Sequence, residues 1–118
     1  MRNNKKPPYY LDGFLSIYRP KEENKTSFGA KKNVTSLEDM THVIDLAYSQ
    51  SYKRIQDIEY AESVGKDLSL KVKTRLVSIV QNDDKVVINN TLYDIVLLDE
   101  DRIKQELYIY LEEMYPIE

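Results

Sequence analysis

The stretch "YDIVLLDEDRIKQELYIYLEEMYP", Tyr93 to Pro116, places two apolar runs on either side of a charged patch. As a strand, the second run points Leu107, Ile109 and Leu111 to one face and Tyr108 and Tyr110 to the other. The aliphatic face is assigned to the core. Tyr108 and Tyr110 form the candidate subunit interface, covered either by a second layer or by a neighbouring subunit. A chain of 118 residues has little material left to bury both sides of its last strand.

Upstream, "DLSLKVKTRL" alternates Leu68, Leu70 and Val72 with Ser69, Lys71 and Lys73, predicting a half-buried strand with one solvated face. "NDD" at Asn82 to Asp84 is turn chemistry, and "KVVINN" and "LYDIVLL" read as two further strands. "DGFLSIYR" is a short strand carrying Phe14, Ile17 and Tyr18, closed by Pro20, which cannot donate to a ladder. Lys21 to Asn33 is polar and reads as a long loop. Ser36 to Gly65 supports two readings. Leu37, Met40, Ile44, Ala47, Ile55, Ile58 and Ala61 fall near helical spacing, with Ser36 as a cap and Gly65 as a stop. Against one long helix, "THVIDLAYSQSY" alternates like a strand and is β-branched and aromatic. The pattern predicts a mainly β, antiparallel, meander-like sheet forming a single domain over 11–118. Residues 1–10, with Asn, Lys and two prolines, are expected to be a flexible arm.

Composition narrows the chemistry. Seventeen basic and twenty acidic residues leave a formal charge of −3, which disfavours a dedicated nucleic-acid binder. The absence of cysteine removes disulfide scaffolds, thiolate zinc sites and cysteine nucleophiles. No window has the length of a membrane span, and the basic start lacks the apolar stretch of a signal peptide. His42 is the only histidine and has neither a metal triad nor a catalytic triad around it. The carboxylates Asp83 and Asp84, and Asp99, Glu100 and Asp101, sit at expected turns and read as solvated caps. Gly13, Gly29 and Gly65 lie too far apart for a phosphate loop.

Two features carry binding chemistry. Lys71, Lys73 and Arg75 recur at period two, a basic face that is either DNA-facing or solvated. Ten tyrosines without tryptophan suit an interface more than a base-stacking groove, because Tyr108 and Tyr110 neighbour carboxylates. Arg54 and Asp57 can pair within one helical turn, with small effect if exposed. No set of residues for catalysis emerges, no cofactor is called for, and the expectation is a non-enzymatic binding or assembly protein.

The ordered segments "GFLSIYRP", "LAYSQSYKRIQDIEYAESVG", "LSLKVKTR", "LYDIVLLD" and "ELYIYLE" resemble the head-closure (head-tail joining, stopper) proteins of long-tailed siphophages, over nearly the whole chain after Tyr10. The resemblance implies a small β-barrel or β-sandwich with one short helix and long loops. It implies assembly as a ring, a dodecamer, between a portal-side adaptor and a tail-side protein, in the virion and around double-stranded DNA. Such a protein is made in the cytoplasm of the bacterial host and needs no membrane. The resemblance also tips Thr41 to Ser51 towards strand and Lys53 to Ser63 towards a short helix or loop. In such proteins the connection between the second and third strands can project into the channel. That makes Tyr52 to Lys66 the candidate gate, with Tyr52, Lys53, Arg54, Gln56, Asp57, Glu59 and Lys66 its candidate residues. A packed connecting helix is the competing assignment for Lys53 to Ser63. The alternative function is a small β-barrel nucleic-acid-binding module, built on Lys71, Lys73 and Arg75.

Overall fold

Alternating apolar positions organise the chain into six strands, described by a computed structural model over residues 10–21 and 37–117. They are β1 (Gly13–Pro20), β2 (Met40–Ser51), β3 (Leu70–Arg75), β4 (Lys85–Ile88), β5 (Thr91–Asp101) and β6 (Glu106–Pro116). A 3-10 turn, Leu37–Asp39, leads into β2, and one helix, α1 (Ile55–Ser63), joins β2 to β3. The expected arm over 1–10 falls almost wholly outside the described residues, as do most of the expected loop and the Ser36 cap.

All six strands pair antiparallel and close into a barrel in the order β1-β2-β3-β6-β5-β4. The topology is two meanders, β1-β2-β3 and β4-β5-β6, sewn together by the long-range pairs β3 with β6 and β1 with β4. Closure removes most free edges, the main aggregation hazard of a sheet. The β4–β5 turn is Asn89-Asn90, both at positive φ, as a two-residue hairpin of matching twist requires.

Period two decides what lies inside. Leu15 and Ile17, Leu46, Val72, Val86, and Leu107, Ile109 and Leu111 are buried together in the barrel interior. Phe14, one residue out of phase with Leu15, is 74% exposed, so the apolar content of β1 enters the core through Leu15 and Ile17. The run Ile95 to Leu98, apolar at four successive positions, is resolved by a bulge between Ile95 and Leu97. The extra residue resets the phase, so Ile95 and Leu98 pack on the interior while Val96 and Leu97 pack on the outer cluster.

The long-helix reading of 36–65 gives way to a strand followed by a helix. β2 runs for 12 residues because Leu46 and Tyr48 enter the core at period two, which a helix through the same residues would scatter. α1 ends at Gly65, whose φ of 75° is the left-handed conformation that closes a helix.

Candidate functional site

α1 packs on the outside of the barrel over β3 and β6. Only two of its side chains are buried, Ala61 and Asp57. Ala61 joins Leu68 and Tyr110 in a small apolar cluster. So nine residues of helix, too short to be stable alone, are held by one methyl group and one carboxylate.

That carboxylate accepts five donors. Its Oδ2 takes the Arg54 backbone N–H at 3.0 Å, Arg54 Nε at 3.1 Å and Lys71 Nζ at 2.8 Å. Its Oδ1 takes Arg54 Nη2 at 2.8 Å and the Tyr110 hydroxyl at 3.0 Å. The backbone bond is the reach-back half of a capping box, an acidic residue three positions into the helix satisfying the first N–H. Lys71 Nζ also lies 5.1 Å from the Tyr108 ring centroid and 5.0 Å from that of Tyr110, a desolvated cation between two aromatic faces. Burial alone would raise the Asp57 carboxyl, but the donors from Arg54, Lys71 and Tyr110 outweigh it and hold it well below the usual carboxylate range. Burial, then the bond to Asp57, pushes the Tyr110 phenol up.

These contacts correct several expectations. Lys71 is not on a solvated face: it is buried beneath α1 and neutralised by Asp57. Lys73 is half-buried and lies 3.6 Å from the buried carboxylate of Glu106, leaving Arg75 as the exposed member of the stripe. Glu106 also accepts the Tyr10 hydroxyl at 3.2 Å, and burial with the Glu106 charge pushes Tyr10 up to about 12. Tyr110 is 2% exposed, covered by α1 of its own chain, so it is not an open interface residue. Tyr108 is half-buried. The second face of β6 therefore has a second layer.

The segment assigned to the gate is a docked helix with its flanks. Tyr52, Lys53, Arg54, Gln56 and Glu59 are exposed, Asp57 is buried, and Lys66 is half-buried, 3.9 Å from Glu112. Lys53 Nζ donates to the carbonyls of Leu68 and Ser69 at 3.4 and 3.3 Å, tying the entry of α1 to the start of β3. A cleft of about 670 Å³ opens beside it, with Tyr52, Arg54, Lys71 and Tyr108 on one wall and, on the other, the end of β5 and the start of the β5–β6 turn, Asp99 to Ile103. Tyr52 and Ile103 stand on this cleft 80% and 97% exposed.

His42 is exposed, with Nε2 2.8 Å from Asp45 Oδ1 and its ring edge-on to Tyr18. Asp84, expected as a solvated cap, is 1% exposed and ion-paired with Arg19. Sequence reasoning missed that pair because nothing local links residues 65 positions apart. Among the described residues no group of three His, Asp or Glu side chains is placed to hold a metal ion, and no helix is long and apolar enough to cross a membrane. No protein-family model matches this chain, and no curated protein does.

Proposed function

We propose that this protein is a structural component of a tailed-phage neck, forming a homo-oligomeric ring that closes the DNA-filled head and joins it to the tail. One observation carries the reading. The architecture implied by the resemblance, a small β-barrel or β-sandwich with a short helix or loop from Lys53 to Ser63, is compatible with the closed six-stranded sheet and the position of α1. Exposed apolar side chains add support. Phe14, Tyr52, Ile55 and Ile103 stand 74 to 97% exposed, surface that a ring's heterologous contacts would bury. The nucleic-acid-module alternative loses part of its motivation, since Lys71 and Lys73 are committed to Asp57 and Glu106.

On this reading the ring sits between a portal-side adaptor and a tail-side protein in the virion. A gating role for Tyr52 to Lys66 requires α1 to leave the Asp57 contacts. Deleting the gene from the phage tests the proposal: heads should package DNA, lose it and remain tailless. Full, tailed particles from the deletion would refute it.

A further inference from the structure

A pocket of about 390 Å³ lies where β1 ends and β2 begins, lined by Arg19, Lys21, Thr41, His42 and the apolar Val43 and Ile79, with Pro20. Three of these side chains are basic and none is acidic, in a chain whose acids outnumber its bases. The Arg19 guanidinium is fixed from behind. Nε donates to Asp84 Oδ1 at 2.7 Å and Nη2 to Oδ2 at 2.9 Å, and Nη2 also donates to the Ile79 carbonyl at 3.1 Å. Asp84 is itself held by the Gln81 backbone N–H at 2.8 Å, and its side chain is fully buried while that of Arg19 stays 35% exposed. Nη1 takes no part in these bonds.

A pair with one end buried seldom out-stabilises an apolar pair of the same volume. What it does supply is orientation: a guanidinium held in one plane, with its Nε and Nη2 hydrogens committed to Asp84 and Ile79 and Nη1 outside those bonds. Nη1 is thereby aimed as a single charged donor, able to bond one phosphate oxygen. Lys21 stands beside it, its backbone anchored by donation to the Asp39 carbonyl at 3.2 Å, and Asp45 and Tyr18 fix the His42 ring. We propose that this pocket binds a phosphate group, with Arg19 and Lys21 as charged donors and Thr41 and His42 as polar neighbours. Asp84 and Asp83 beside Arg19, and Asp45 beside His42, offset the basic charge, so binding is weak and reversible. The phosphate comes either from a nucleic-acid backbone or from a free anion. The site is built within one chain and does not depend on the neck assignment.

Proton–nitrogen NMR of the full chain, titrated separately with inorganic phosphate and with a short DNA duplex, tests it. Both titrants should move the resonances of Arg19, Lys21, Thr41 and His42 if a backbone phosphate is the ligand. Inorganic phosphate alone doing so assigns a small-anion site. For the duplex, Lys21→Gln should lower the slope of log affinity against log salt by about one. Arg19→Lys keeps a charge over Asp84 but removes the Nη1 donor and should weaken both titrations; if it unfolds, Lys21→Gln alone decides. Shifts centred on Arg75 or Lys53 instead, or no shift with either titrant at millimolar concentration, overturn the proposal.

Discussion

Asp57 is the residue on which the local structure turns. Removing it leaves the Lys71 ammonium buried without a counter-charge and frees the start of α1. Asp57→Ala should therefore cost roughly 3–5 kcal/mol in denaturant unfolding. Adding Lys71→Met should restore much of that loss, because two apolar groups need no mutual neutralisation. The same carboxylate sets an acid limit. Its pKa is depressed on folding, so its stabilisation is fully present above the unfolded value near 3.9 and is lost as pH falls from there towards the lower folded value. The urea midpoint should drop below about pH 4. That drop should be smaller in the Asp57→Ala, Lys71→Met double variant, and an equal drop in both proteins would remove Asp57 as its cause. The pairing of Arg54 with Asp57 was legible, three positions apart on one helical turn. Its burial was not, because the partners that enclose it are Lys71, 14 positions on, and Tyr110, 53 positions on.

At the scale of elements, two features of sequence misled and one led correctly. Period two in Leu107, Ile109 and Leu111 identified the core face of β6, and all three are buried in the interior. The same period in Lys71 and Lys73 suggested water, because alternation identifies two faces but does not say that the second is exposed. Here α1 covers part of it, and the lysine pairs instead of solvating. The helix was ambiguous because Leu37, Met40, Ile44 and Ala47 fall near helical spacing as Ile55, Ile58 and Ala61 do, yet Met40–Ser51 is strand β2 and only the last three lie in α1. Tyr110→Ala should thus destabilise the monomer by about 3–5 kcal/mol, comparable with other large-to-small core changes, whereas Tyr110→Phe, which keeps the ring and loses only the bond to Asp57, should cost about 1 kcal/mol. Thermal or denaturant unfolding of both variants checks the order; a Phe variant as damaged as the Ala variant would mean that the hydroxyl, rather than the packed ring, dominates. Ala61→Leu should overpack the contact of α1 with β6 and cost about 1–3 kcal/mol, read as lost protection of α1 amides in hydrogen exchange.

At the scale of the whole molecule, the strands were legible from alternation and turn residues, and the closure was not. Local pattern shows that β4, β5 and β6 follow one another as a meander. It contains nothing that pairs Val72 with Ile109 or Ile17 with Val86, the contacts that turn two meanders into one barrel. Those pairings follow from the need to bury one face of every strand at once, which is a property of the full set. Closure also leaves the outer face as the remaining surface for partners. α1 covers one part, and Met40, Leu92 and Ile117 form a second buried cluster elsewhere. Phe14, Ile55, Tyr52 and Ile103 stay outside, which is where the neck proposal places its contacts. Electron-micrograph classes of purified neck complexes test that proposal most directly. It predicts a ring of copies of this barrel, coaxial with the DNA channel, between the portal-side adaptor and the tail. A complete neck, joined to its tail, with no copy of this chain in it would contradict it.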